Sequence, residues 1–554
     1  MVMKKYLQAA SSIMPNENGL PRYSPPALLE ALQFLEEELT NRGFVFQPET
    51  TPQAQGTLKL TITDTNGNGM IAQVKLFPML TFETMETISQ ANNRIDFIRE
   101  YTLPDGTVTL PLPLNNGNNG RYMLEVSKGP AYKIVKQEII IPANGELACQ
   151  ICIPQMADWS GEGWYAGDLH HHSVYSSPLH GGTDDVIESP QQVAFSMQAA
   201  GLAYGALSDH HNIKNHQDWL ATATDTFLPI VSKEISTTNG HVLSLGVHTD
   251  VIYKIPKQEE RTELYLRQEH IRTTDEIRAC GGLPQINHPR DRNPAISLDP
   301  KFTDMVEIFD TIEVWNGSNP MIPGTPNYDA FQFWMSLLEE GRFVAATSGS
   351  DTHNIWVDDF HGLLEKFSWM IAHGSDLVDS LPAERQDVLR YLIEVLQETT
   401  PIMEEWAENR LGSGCVQTYI QVKQALTVES ILDALRKGHS YLTSGPLLRV
   451  SLDGKGPGET LVTEKTFLTA DVTLLSNVPL ERLCLYTNGE QKTYIPLTNR
   501  LVDTESEAQS AEPVYDYSLQ LPSIAVDQVK WIVVTVEKDR EIRAISNPIF
   551  IKAV

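Results

Sequence analysis

The sequence predicts an α/β unit, either a parallel sheet or a barrel, set between two β-sandwiches. Three observations predict it. Hydrophobic residues alternate with period two from Gly56 to about Met156. Strand and helix patterns then alternate from Trp164 to Gly445, and the period-two pattern returns after Pro446. With 554 residues the chain has room for roughly three or four domains. The expected organisation is a helical segment at 1–50, a sandwich at 51–156, the α/β unit at 157–445 and a second sandwich at 446–554. A helical insertion falls at about 361–412.

Ser24-Pro25-Pro26 supplies an N-cap with proline in the first turn. Leu28, Leu32, Leu35 and Leu39 then repeat at helical spacing until Gly43 stops the helix. In the first sandwich Leu58, Leu60 and Ile62 alternate with polar residues, and Tyr122 to Val126 and Ile134 to Ile141 follow as strands. Asp64, Asn66, Asn68 and Gly69 match the opening of a calcium loop. Lys75 stands where that loop needs a bidentate Glu, so a plain turn is expected.

In the α/β unit Ser189-Pro190 caps a helix ending at Gly201. Strands are expected at Ala203 to Leu207, Leu228 to Val231, His241 to Val247, Leu283 to Ile286, Thr311 to Val314 and Phe343 to Ala346. Helices are expected at Thr273 to Cys280 and Tyr328 to Glu340, and Thr427 caps a last one ending at Gly438. After it, Leu448, Val450 and Leu452 alternate, and strands are plausible at Phe467 to Leu474, Arg482 to Tyr486 and Val529 to Val536.

Net charge is −29, which argues against a nucleic acid duplex or an anionic membrane as partner, since both need a basic surface. The first residues lack an apolar stretch of the signal-peptide kind, and no run reaches the length of a membrane span. Five sparse cysteines point to a reduced, cytoplasmic setting. Cys149 and Cys152 lie in the apolar run ACQICIP with no second pair, so a buried strand is expected there rather than a metal or redox site.

Histidine carries the strongest signal. Fourteen of the 15 histidines fall from His170 to His373. They occur in short groups that follow strands: Asp168-Leu169-His170-His171-His172, Ser208-Asp209-His210-His211, Glu234 with Gly240-His241, Asn287-His288, and Ser350-Asp351-Thr352-His353. In extended chain, residues two apart share a face, so His170 and His172 grip one ion while His171 points away, and Asp351 pairs with His353 in the same way. One such histidine is usually a surface residue. Several groups at the ends of parallel strands of one unit make a site, because that is the end at which barrel enzymes build theirs. Histidine plus carboxylate without cysteine suits Zn, Mn or Fe. About nine ligands are too many for one ion, so two or three divalent metal ions are expected, with Glu234 as bridge. His171, His180, His211, His216 and His248 remain ambiguous, while His270, His361, His373 and His439 read as incidental.

Taken together, DLHHHS, SDHHN, the KEIST–GH stretch, NHP and SGSDTH resemble the polymerase and histidinol phosphatase (PHP) superfamily. The flanking β-domains, EVWNG at 313–317 and ILDALRKGHSYLTSGP at 431–446 are similar to its CehA/McbA branch, named for a carbaryl hydrolase. The resemblance covers about 164–446. It implies a distorted (β/α)7 TIM-like barrel, with an N-terminal sandwich similar to carboxypeptidase regulatory domains. It also implies a ligand set: His170 and His172 with Glu234 and Asp351 for one metal, His241 and His288 with Glu234 for another, and His210 and His353 for the remaining one. A further ligand is implied soon after the first motif. Asp185 fits best, with Asp184 and His180 as rivals.

Such metals lower the pKa of bound water from 15.7 toward about 7, and a hydroxide bridging them needs no Ser, Cys or Lys nucleophile. His211 or His353 can relay the leaving-group proton, and Arg290 can grip a phosphate. Trp315 and Asn316 are candidates to shape the pocket. The leading expectation is a phosphoesterase acting on a small phosphorylated metabolite or nucleotide. The alternative is a carbamate, ester or amide hydrolase. A third reading is a carbohydrate-binding protein with a vestigial barrel. A homo-oligomer is compatible with the sandwiches.

Overall fold

The computed structural model describes residues 25–44, 55–79, 98–114, 120–177, 180, 184, 186–317, 320–353, 367–375, 377–409, 412–488, 491–501 and 511–554. The chain is mixed α/β with several sheets. Helix α1, Pro25–Asn41, buries Leu28, Leu32, Leu35 and Leu39. Their partners are Phe367, Met370, Leu389, Leu392 and Leu396 from the insertion. The N-terminal segment and the insertion, far apart in sequence, thus share one helical core.

The first sandwich has two sheets. Strands β1 (Gln55–Thr63), β4 (Thr107–Pro113) and β7 (Glu146–Cys152) form one. Strands β2 (Gln73–Pro78), β3 (Ile98–Tyr101), β5 (Arg121–Ser127) and β6 (Val135–Ile140) form the other. Leu58, Leu60 and Ile62 meet Val74, Leu76, Tyr122 and Leu124 in one core. Asp64 accepts the backbone N–H of Asn66 and Asn68 at 2.8 Å each, so DTNGNG is a turn. Cys149 and Cys152 sit in β7 as expected, but half-buried rather than buried, and both are free thiols.

The α/β unit contributes β8 (Trp164–Asp168), β9 (Tyr204–Leu207), β10 (Leu228–Thr237), β11 (Gly240–Leu245), β12 (Leu283–Ile286), β13 (Thr311–Asn316) and β14 (Ala345–Gly349). These pair in chain order. Two features depart from a simple βα repeat. Strand β10 does not stop at Val231; it continues through the polar run SKEIST and turns back at Thr238-Asn239 into β11. Strand β11 is therefore antiparallel to both neighbours, because so short a turn cannot make a crossover. A helix expected from Thr273 runs in fact over Glu263–Ala279, capped by Thr262; its polar first half hid it.

Strand β15 (Gln417–Gln421) lies antiparallel beside β8, and its Thr418 Oγ1 accepts Ser348 N–H of β14 at 2.8 Å. Beyond the strand ends β14 meets β8 directly: Asp351 N–H donates to His170 O at 2.7 Å and His172 N–H to Thr352 O at 3.0 Å. The last helix, Val428–Lys437, has the Thr427 cap and ends at Gly438 with φ 69°, as expected.

The boundary at 446 cuts less cleanly than the sequence implies. Strand β16 (Ser440–Thr443) pairs with Glu541–Ser546, which pairs with Trp531–Lys538 and then Arg482–Thr487. One C-terminal sheet is thus continuous with the α/β sheet, whereas Leu447–Leu452, Ala470–Ser476 and Tyr515–Gln520 form a separate sheet and Phe467–Leu468 pairs with Ile524–Ala525 in another. Trp531, Val533 and Tyr486 share a core with Phe331 and Trp334. Residue-level alternation cannot reveal which sheet a strand joins.

Because α1 buries leucines against the insertion, Leu35→Ala should destabilise that helical unit by about 2–5 kcal/mol. Limited proteolysis within 383–409 should accelerate. Unchanged cleavage would show that α1 does not hold the unit.

Candidate metal centre

Two buried carboxylates fix the backbone around the site. Asp168 Oδ1 accepts the N–H of His170 at 3.2 Å and of Ser350 at 2.9 Å, and its Oδ2 accepts Gly414 N–H at 2.9 Å. Asp209 accepts Ser173 N–H and Oγ–H at 2.7 Å each and Ser176 Oγ–H at 2.9 Å. Burial raises both carboxyls, while these hydrogen bonds pull the other way. Three non-glycine residues of the site, His211, His288 and Asp351, sit at φ 62°, 25° and 51°. Side chains rarely adopt this region unless their surroundings hold them there.

Glu234 stands at the centre and is fully buried. Its Oε2 lies 3.3 Å from His170 Nε2 and 3.4 Å from both His172 Nε2 and His210 Nε2. Its Oε1 lies 3.0 Å from His241 Nδ1, 3.3 Å from His288 Nε2 and 2.9 Å from Asn287 Nδ2. Strand β11 makes this possible: running backwards, it presents its first residues at the end where its neighbours finish.

Asp351 Oδ1 lies 3.3 Å from His170 Nε2 and 3.1 Å from His172 Nε2. Asp184 Oδ2 lies 3.0 Å from His210 Nε2 and 3.1 Å from His353 Nε2. Four overlapping groups result: His172, Asp184, His210 and His353; His170, Glu234 and His288; His170, His172 and Asp351; His210, Glu234 and His241. Within each, the ligand atoms all lie within 4.8 Å of one another. This donor set of imidazoles and carboxylates suits divalent ions of the Zn, Mn and Fe kind.

The outer nitrogens are anchored. His170 Nδ1 faces Glu313 Oε1 at 3.0 Å, His172 Nδ1 faces Ser176 Oγ at 2.9 Å and His210 Nδ1 faces Ser236 Oγ at 3.1 Å. His353 Nδ1 donates to Asp351 O at 2.7 Å. Such partners fix tautomer and ring orientation in metal sites. Glu313 Oε2 also accepts His288 N–H at 2.8 Å and Asn316 Nδ2–H at 3.1 Å.

Electrostatics follow from this packing. Burial opposes the charge on Glu234, but His170, His241 and His210 outweigh it and hold the carboxyl well below its usual range. Asp184 and Asp351 are lowered in the same way against burial, chiefly by His353 and by His170. His170 is raised well above its ordinary value because Asp351, Glu234 and Glu313 overcome burial, and His288 is raised to about 9 against burial by Glu234. Burial pushes His172 well below its ordinary value and His241 down as well.

The other predicted residues fall as follows. Asp185 lies outside the described residues, as does His361; Asp184, its rival, occupies the place beside His210 and His353. His180 packs its ring against Tyr175 at 4.6 Å between centroids. His211 is half-buried beside His210 and stands outside the four groups. Arg290 lies over the Phe333 ring at 3.9 Å, and its Nη1 is buried without a hydrogen-bond partner. His171 points away, its Nδ1 donating to His172 O at 2.9 Å and its Nε2 accepting from Ser413 Oγ at 2.8 Å. Trp315 is a core residue rather than pocket wall, whereas Asn316 Nδ2 reaches Asp351 Oδ2 at 3.2 Å. His216, His248, His270, His373 and His439 take no part in the four groups.

Glu313 is the supporting residue that the sequence reading missed. A lone carboxylate inside the otherwise apolar strand run IEVW was a readable signal, since such a charge needs a buried partner.

No family model matches this chain, and no curated protein matches it. Among solved structures it is similar to an amidohydrolase from Chromobacterium violaceum with bound sulfate and no metal, at 17% identity and TM-score 0.24, covering 34% of this chain and 87% of that one. It is also similar to the Bacillus anthracis TIE protein, at 13% identity and TM-score 0.14, covering 22% and 19%. A third is 3-chlorocatechol 1,2-dioxygenase from Rhodococcus opacus 1CP, at 9% identity and TM-score 0.16, covering 20% and 63%. At these scores the reading of the site rests on its own geometry.

In metal-free protein His170 and His288 hold protons at neutral pH, and a metal needs their lone pairs. Loading with Zn or Mn should therefore release protons, and affinity should rise with pH up to about 9. Calorimetry in buffers of different ionisation enthalpy reads this directly, and heats independent of buffer would contradict it. Glu313→Gln should weaken metal affinity by roughly 10–100-fold without unfolding the protein.

Proposed function

We propose that this chain is a metal-dependent hydrolase of the PHP type, CehA/McbA-like, acting as a phosphoesterase on a small phosphorylated metabolite or nucleotide. The observation that carries the reading is Glu234, whose two oxygens face five imidazoles from four chain segments. In this reading the ring β8–β14, with β15 set between β8 and β14, is a distorted barrel, and two or three ions are held by the four groups. The five free cysteines agree with a cytoplasmic protein. No helix among the described residues is long and apolar enough to cross a membrane.

When bound, divalent ions of this kind activate water and neutralise charge developing on a phosphoryl oxygen. His170, His172, His210, His241, His288 and His353, with Asp184, Glu234 and Asp351, would hold them. Glu313, Ser176, Ser236 and the Asp351 carbonyl keep the imidazoles turned inward. His353 has both ring nitrogens engaged, so it suits a ligand better than a proton relay. His211 is the better relay: its ring makes no hydrogen bond among the described residues and stands beside His210, so both nitrogens are free to exchange a proton with a bound substrate. Arg290, two residues from His288 in the chain, is the cation that would grip an anionic substrate rather than a neutral carbamate.

The test is parallel assay of a nitrophenyl phosphate and an aryl carbamate before and after chelation. Phosphate turnover should vanish with the metal and return with Mn or Zn. Turnover of the carbamate alone would move the assignment to the other bond class, and full activity after exhaustive chelation would end the hydrolase reading as stated. Glu234→Gln should lower kcat/KM by at least about a hundredfold, together with metal content. His211→Asn should lower kcat by about 10²–10⁴ with metal content unchanged.

A further inference from the structure

A cavity of about 970 Å³ lies between the first sandwich and the α/β unit. It touches Trp164, Tyr165 and Ala166 of β8, Ala203 just before β9, and Leu228, the first residue of β10. Those strands carry the metal-centre residues at their other ends. From Leu228 to Glu234 is six residues of strand, roughly 20 Å, so the cavity is separate from the metal centre.

The lining is specific in kind. Tyr132, Trp159, Tyr165 and Phe195 line it, and each is only half-buried. Gln191, which is exposed, and Gln198, whose amide donates to Ala194 O at 3.2 Å, also line it. Arg449 lies over Trp159 at 4.0 Å. Two charged groups of the wall are engaged within it, while the exposed Asp225 has no hydrogen bond or ion pair among the described residues. Lys128 Nζ donates to Ile71 O at 2.6 Å and to Gln198 O at 3.0 Å, and Asp158 accepts the Ser160 N–H at 3.1 Å and its hydroxyl. Aromatic faces take apolar C–H surface, amides donate and accept at the edge, and the Asp225 carboxylate accepts from hydroxyls.

We propose that this cavity is a binding site for a neutral saccharide, with Trp159 and Tyr165 stacking on pyranose rings and Gln191 bonding ring hydroxyls. The site is independent of the metal centre and belongs to the seam between sandwich and α/β unit. It gives the sandwich a role in holding a glycan.

The test is titration of the metal-free full chain with cellobiose, maltotriose and chitobiose, followed by tryptophan fluorescence and calorimetry. Expected is saturable binding of at least one of them, unchanged when metal is restored. Trp159→Ala should weaken it at least about tenfold, or 1.4 kcal/mol. Gln191→Ala, an exposed position that leaves the fold alone, should weaken it severalfold. Three results would overturn the proposal. One is no saturable signal with any saccharide up to about 10 mM, tenfold above a millimolar dissociation constant. Another is binding that neither variant changes. The third is binding of benzoate but of no saccharide, which would assign the cavity to aromatic anions.

Discussion

A carboxylate buried among five imidazoles cannot exist without charge to balance it, and that requirement organises the centre of this protein. Glu234 is withdrawn from water on all sides. Its negative charge needs positive partners, either protons on the surrounding rings or cations between them. The rings reach it because four segments end at one place, and those segments end there because of the sheet beneath them. The reversed strand β11 has its importance here: a crossover would have delivered His241 at the opposite end.

Much of this was legible in the chain itself. Paired histidines two residues apart, each group following an apolar run, announce a shared face, and His170, His172, His210, His241, His288, Asp351 and His353 all come together with Glu234. Caps at Ser189 and Thr427 located the starts of two helices to the residue. What stayed hidden has physical causes. The run SKEIST looks like a loop because its polar side chains serve the site rather than the core, so β10 read too short. Glu263–Ala279 hides behind a polar surface. Asp184 and Asp185 are neighbours in sequence, and spacing alone cannot choose between them.

Sheet membership was the other blind spot. Period-two alternation marks a strand without saying which edge it joins. Strand β16 carries the α/β sheet into Glu541–Ser546 and on to Trp531–Lys538. Asn547 reinforces the seam by donating to Ala346 O and accepting Ala346 N–H, each at 2.9 Å. The C-terminal region is therefore wall to the same body rather than an appended module. A similar long-range economy joins α1 to the insertion, whose leucines would otherwise face water.

The Asp168 carboxylate has a wider consequence. It holds the amides of His170, Ser350 and Gly414, so the long excursion of chain between Ser350 and Gly414 leaves and re-enters at one fixed staple. A segment clamped at both ends in this way can vary beyond His353 without passing the change to the amides that Asp168 holds. Descendants of such a chain can diversify the insertion while inheriting the candidate metal centre intact.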